Sequence, residues 1–145
     1  MRWIGRTASE SGRAWQGLLV SFDVFFQGFA DGDARSGGGE RMLEVLRPFI
    51  AREDPASSYR QIVYGNGEAG VYLRDGGMMA NHVCGTNPWE LLVQGAQAAR
   101  WVILPVGCPT CLTDDGQRNH LPGGLAQGVV MVVTGVDLLR AITST

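Results

Sequence analysis

The sequence predicts an α+β domain: one compact unit with a mixed or mainly antiparallel sheet of about five to six strands and two to three helices. Three observations lead there. Short apolar runs, several of them alternating, are separated by Gly- and Asn-bearing turns; three segments carry helical spacing; and 21 glycines are scattered without period through 145 residues. That length is one ordinary globular domain with room for a real core. Residues 1–17 mix Arg, Ser, Thr and Gly around Trp3, Ile4 and Trp15 with no sustained period, so they are expected to form a loosely ordered arm. Residues 18–145 are expected to form the single α+β domain.

From Val20, the residues Val20, Phe22, Val24 and Phe26 alternate with Ser21, Asp23, Phe25 and Gln27, the period of a strand with one buried face. Ala30 to Gly39 is polar and reads as a loop. Glu40 to Arg47 sets Leu43 and Leu46 at helical spacing, and Pro48 is expected to end that helix because it cannot donate to the carbonyl of Glu44. Tyr59–Tyr64 and Ala69–Leu73 are strand-like runs around Gly65-Asn66-Gly67-Glu68, and Asn66-Gly67 suits a tight type I′ hairpin. Met78 to Val83 extends the meander as a third strand. Asn87 is placed to cap a helix that has Pro88 first and Glu90 third, with Trp89, Leu92, Val93 and Ala96 on one face. Trp101–Val106 and Val129–Val133 read as buried strands, and Val136–Ile142 as a last helix.

The 12 basic residues against 14 acidic ones leave a net charge of −2, which offers no overall attraction for nucleic acid or an anionic membrane. All the basic residues are arginine, the mark of a GC-rich bacterial coding sequence. The longest apolar stretch, Leu18 to Phe29, is broken by Ser21, Asp23 and Gln27, so no membrane span is expected. Three cysteines do not suit a secreted disulfide framework, and a cytoplasmic location is expected.

The most chemical feature is Cys108-Pro109-Thr110-Cys111, followed by His120, with His82 and Cys84 on the third strand of the meander. Thiolates and imidazoles at such spacings suit tetrahedral zinc, and the candidate ligands are Cys84, Cys108, Cys111 and His120, with His82 as the alternative. The competing reading is that the cysteines act only as small buried apolar residues, and no cofactor is then expected. A thioredoxin-like redox site is disfavoured, because the residues after Cys111 offer no amphipathic helix and Asp114 and Asp115 oppose a thiolate. Near His120, Thr113 or Asp114 is expected to cap a short helical turn that Pro122 ends. No nucleophile elbow, phosphate loop or zincin motif is present, so an enzyme is less expected than a binding protein. Phe25 falls on the polar side of the first strand's alternation and Phe29 just beyond it. With Trp15 they are the candidate partner-binding residues.

Phe22-Asp23-Val24-Phe25-Phe26-Gln27-Gly28-Phe29 with Asp31-Gly32, the helix end Leu46-Arg47-Pro48-Phe49-Ile50, the Gly-Asn-Gly hairpin and His120-Leu121-Pro122 resemble a group of small, uncharacterised bacterial α+β proteins. Some of these are regarded as immunity or accessory proteins encoded beside secreted toxins. The resemblance covers Val20 to about Ile142 and implies a partner-binding protein without turnover. The expected function is therefore protein–protein binding, in the form of an immunity-like inhibitor of a toxin encoded nearby. The alternatives are a small zinc-binding protein or hydrolase built on Cys108, Cys111 and His120, and a structural homodimer.

Overall fold

A computed structural model describes residues 19–20 and 23–144; the expected N-terminal arm and Trp15 lie outside the described residues. The chain forms a short strand β1 (Leu19–Val20), then β2 (Val24–Ala30), β3 (Asp33–Arg35), helix α1 (Gly39–Leu46) and the strands β4 (Ile50–Glu53), β5 (Tyr59–Tyr64), β6 (Gly67–Leu73) and β7 (Gly77–Cys84). Helix α2 (Asn87–Ala99), strands β8 (Val102–Pro105), β9 (Cys111–Leu112) and β10 (Val130–Met131), and helix α3 (Gly135–Thr143) complete it. The result is the expected α+β class with a larger sheet than the five to six strands predicted. Eight strands lie in the order β10-β9-β8-β2-β7-β6-β5-β4, with β1 attached to β7 and β3 to β2. The sheet is mixed, because β9 and β10 are parallel whereas the other ladders are antiparallel.

One face of this sheet carries the core. Val24 and Phe26 of β2, Ile62 of β5, Val71 of β6, Ala80 of β7 and Ile103 of β8 are buried together with Met42 and Leu46 of α1, Trp89, Leu92 and Ala96 of α2 and Leu138 of α3. The alternation seen in the sequence thus does what it predicts on β2, putting even-numbered residues inside.

Glycine decides where these layers close. Gly38 precedes α1 at φ 104°, a left-handed conformation, and a Cβ there would run into the Trp101 indole and the Ala99 carbonyl. The helix therefore starts tight against the α2–β8 junction. Trp101 Nε1 donates to the Gly37 carbonyl at 3.0 Å and holds that approach from the other side.

The hairpin between β5 and β6 is where predicted, but its turn differs. Tyr64 pairs with Gly67, so the two loop residues are Gly65 and Asn66, and only Gly65 takes a positive φ, 58°. That is the type II′ pattern, with Gly first, and not the type I′ turn on Asn66-Gly67 that the dipeptide suggests. Gly67 serves otherwise, since a Cβ there would overlap the carbonyl of Cys84.

Asn66 is free of the turn's demands because it caps α2. Its Oδ1 accepts from the backbone N–H groups of Thr86 at 3.0 Å and Asn87 at 2.8 Å, its Nδ2 donates to Thr86 Oγ1 at 2.9 Å, and its own N–H donates to Asn87 Oδ1 at 3.0 Å. The reciprocal cap expected from Asn87 and Glu90 is replaced by this one. Glu90 Oε1 accepts instead from Gly135 N at 2.7 Å and docks α3 onto α2. Asn66→Ala is expected to destabilise the protein by about 1–2 kcal/mol, since it orphans two donors at one helix start. Chemical denaturation of the two proteins measures it, with Asn66→Asp as the variant that keeps an acceptor in place.

Helix α3 carries its own reciprocal cap. Thr134 Oγ1 accepts from Asp137 N at 3.2 Å, while Asp137 Oδ2 accepts from Val133 N at 2.9 Å and Thr134 N at 3.1 Å. Those N–H bonds, to Val133 and then Thr134, hold the Asp137 carboxyl below its ordinary value. The run Val129–Val133, predicted as a buried central strand, is instead a two-residue edge strand with Val132 buried and Val133 exposed.

Candidate functional site

The helices α1 to α3 pack on one face of the sheet, and the residues that alternate with the core point to the other. Register decides what that second face presents. Leu104 of β8 pairs with Phe25 of β2, Phe25 with Met79 of β7, Met79 with Tyr72 of β6, and Tyr72 with Tyr59 of β5. Five neighbouring strands thereby align five apolar side chains in one row across their long axes, spanning about 19 Å at the usual strand spacing. Phe25 is 42% exposed and Tyr72 36%, and the Tyr59 and Tyr72 rings lie 5.2 Å apart.

Part of this face is covered. Val102, Leu112 and Leu121 are buried in a second, smaller cluster with Phe29, Leu104 and Val129, formed where the segment after β9 folds over β8 and the end of β2. Phe29 is thus half-buried, packed against this cluster and lining a cleft beside it. Beyond Leu104, Phe25 and Tyr72 stay exposed, with Met79 and Tyr59 half-buried beside them. A groove of about 890 Å³ opens there, lined by Phe25, Tyr72, Met79 and Leu104 with Gln27 and Arg74. Its floor is fixed by Gln27, whose Nε2 donates to the Gly28 carbonyl at 2.9 Å and the Arg35 carbonyl at 3.3 Å. A second groove of about 390 Å³ adjoins it through Tyr72 and is lined by Arg52, Gln61, Glu68, Asn81 and His82.

His82 and Cys84 flank the buried Val83, and Cys84 pairs with Glu68, which lines the same groove as His82. His82 sits at φ 52° where the β6–β7 register slips by one residue, Gly70 facing Asn81 but Glu68 facing Cys84. The bulge shifts the alternation, so that Ala80 and Val83, three apart, are both buried. Asn81 Oδ1 lies 3.1 Å from His82 Nδ1.

His120 is a fastening. Asp114 caps the single-turn helix Asp115–His120 with Gln117 completing the reciprocal pair, as the sequence suggests. Gly32 N then donates to the His120 carbonyl at 2.9 Å and Asp31 N to His120 Nδ1 at 3.1 Å, tying the segment to the β2–β3 turn, where Asp31 holds φ 54°. Because Nδ1 accepts, a neutral His120 carries its proton on Nε2. The Asp31 carboxylate lies 3.6 Å from Nδ1. A cleft of about 480 Å³ beside it is lined by Phe29, Arg35, Arg100, Val102, Asp114, Gln117 and His120. Arg35 spends its guanidinium on the Ala99 and Arg100 carbonyls at the end of α2, at 3.4 and 3.1 Å.

Of the four candidate zinc ligands, Cys108 and Cys111 are neighbours, while His120 is engaged with the β2–β3 turn and Cys84 ends β7 beside β1. Among the described residues no group of three or more His, Cys, Asp or Glu side chains is placed to hold a metal ion. Cys111 Sγ donates to the Pro109 carbonyl at 3.4 Å, and Cys108 Sγ to the Ile142 carbonyl at 3.9 Å. Burial, and then the adjacent Cys108, push the Cys111 thiol up to about 12 from its ordinary 9.0. Below pH 9.0 that thiol is neutral in both folded and unfolded chains. Above it the unfolded chain releases the proton first, so stability is lost as pH rises from 9.0 toward about 12. Urea midpoints compared at about pH 8 and about pH 10.5 are expected to fall further for the wild type than for Cys111→Ala.

Among the described residues, no helix is long and apolar enough to cross a membrane. The sequence reading found Phe25 but missed Tyr59, Tyr72, Met79 and Leu104. The signal available was parity: Tyr72 sits on the polar side of the Ala69, Val71, Leu73 alternation, as Phe25 does on its own strand. No protein-family model, curated protein or solved structure significantly matches this chain.

Proposed function

We propose that this protein works by binding another protein through the open face of its sheet. The observation that carries the reading is the in-register row Leu104–Phe25–Met79–Tyr72–Tyr59, which puts aromatic and methionine side chains side by side on the face opposite α1 to α3, with Phe25 and Tyr72 exposed. Aromatic residues and methionine are the side chains enriched at protein interfaces, and contiguous exposed apolar area of this kind marks interaction sites. An inhibitor of a toxin encoded nearby, in a cytoplasmic setting, is the form of this reading that the sequence resemblance implies.

The test mixes purified protein with the products of neighbouring genes and follows complex formation by size-exclusion chromatography. A complex formed by the wild type and lost in Phe25→Asp supports the reading. A complex that survives Phe25→Asp and Tyr72→Asp places the interface elsewhere, and turnover of a metabolite without any complex removes the reading altogether.

A further inference from the structure

We infer that the occupant of the open face is an acidic amphipathic helix of a partner protein, an assignment that rests on the protein-binding reading above. Two independent observations carry it.

The first is backbone geometry. The row crosses the middle of the sheet, where β8, β2, β7, β6 and β5 already pair with one another on both sides. No ladder hydrogen bonds remain there for an incoming chain. An occupant lying on this face must satisfy its own N–H and C=O groups, which a helix does and an isolated extended peptide does not. The opposite face of the same sheet is covered in that way, by α1 to α3. At 1.5 Å per residue, about 13 residues of helix span the row of about 19 Å, a length that presents apolar side chains at every third or fourth position to Phe25, Met79 and Tyr72.

The second is charge. The chain as a whole is slightly acidic, with a net charge of −2. The grooves of this face reverse that sign. Arg74 lines the larger groove and Arg52 the adjoining one, against Glu68 as the acidic lining residue, and Glu68 Oε1 accepts from Gln61 Nε2 at 3.0 Å. Among the described residues neither Arg52 nor Arg74 has an ion-pair partner. Carboxylates flanking the apolar stripe of an incoming helix would meet these two guanidinium groups on opposite flanks of the row, Arg74 two residues past Tyr72 and Arg52 paired with Gln61 two residues past Tyr59. The whole-chain acidity would draw in a basic partner, but this face selects an acidic one.

Fluorescence anisotropy with two designed probes tests it on the full chain. Both are helical peptides of the same length with the same leucine and phenylalanine stripe, one carrying glutamate and the other lysine on its remaining positions. The glutamate peptide is expected to bind about ten-fold or more tighter at low salt, with the preference shrinking as salt is added. Arg52→Glu/Arg74→Glu is expected to reverse the preference, and Phe25→Asp to abolish binding of both. Equal binding, or tighter binding of the lysine peptide, overturns the acidic assignment while leaving the protein-binding reading intact; loss of neither peptide in Phe25→Asp removes both. Two further outcomes also overturn it. A concentration-dependent dimer that dissociates in Phe25→Asp means that a second copy occupies the face. Binding that appears only when Trp3→Ser and Trp15→Ser are introduced together means that the chain's own N-terminal segment does.

Discussion

Phe25→Asp is expected to abolish binding of the proposed partner and to leave the domain folded. Phe25 is the most exposed member of the row, between Leu104 and Met79, and its ring is on the face away from the core, so its removal opens no cavity. A well-packed aromatic anchor of an interface costs about 2 kcal/mol or more on truncation, which is roughly 30-fold in affinity, and a carboxylate in its place adds a desolvation penalty. Aspartate is a poor strand residue, a cost of about 1 kcal/mol in stability that a domain of this size tolerates. The paired control is Val136→Asp on α3, which is 63% exposed and distant from the row in the fold. It changes surface charge by the same amount and is expected to leave binding unchanged. Titration of partner into each variant, with circular dichroism as the check on folding, reads the difference.

Trp101→Ala has the largest effect on the fold itself. The side chain is fully buried where α2 turns into β8, and the residue makes one side-chain and two backbone hydrogen bonds there. Its indole N–H donates to the Gly37 carbonyl, its backbone N–H to the Ala96 carbonyl at 2.9 Å, and its own carbonyl accepts from Thr113 Oγ1 at 3.1 Å. Truncation leaves a cavity and an orphaned acceptor at Gly37, worth about 3–5 kcal/mol together, a large share of the roughly 5–15 kcal/mol that such a domain has. Trp101→Phe separates the two contributions. It keeps most of the apolar volume but loses the N–H, so the expected cost is about 1–2 kcal/mol. A similar loss in both variants would show that the hydrogen bond, and not the volume, holds the junction between α1 and α2.

How much of this could be read from the residues depends on the range of the interaction. Local signals worked: the alternation in β2, a hairpin joining Tyr59–Tyr64 to the next strand, though not its turn type, Pro88 in the first turn of α2, and the cap at Asp114 all reappear in the fold. Where the sequence misled, a distant partner had taken over a local role. Asn66 looked like a turn residue because Asn-Gly favours one, yet its side chain is spent on the start of α2, twenty residues on. Glu90 looked like a reciprocal cap and instead holds α3. The alternation along β7 is broken by a bulge that local sequence does not mark, so that Ala80 and Val83, three apart, both face the core.

The binding face follows the same rule. Phe25 was legible because it breaks its own strand's polar side. Tyr72, Met79 and Leu104 become its neighbours only through the order β8-β2-β7-β6, in which the first long strand inserts between two later ones. Phe29 has the same parity as Phe25, and only the segment after β9, folding back over β8, distinguishes them. The acidic composition of the whole chain was equally visible, but it averages over a surface whose grooves carry Arg52 and Arg74, which have no ion-pair partner among the described residues.

The methionine methyl groups report on the central claim most directly. Met79 lies in the exposed row, Met42 is buried beneath α1, and Met131 is 42% exposed on the far edge strand β10. With methyl-labelled methionine, adding the partner or the glutamate-bearing helical peptide is expected to shift and broaden the Met79 resonance while Met131 and Met42 stay in place. A shift at Met131 with Met79 unmoved would contradict the account, because it would put the binding surface at the sheet's edge instead of on its open face.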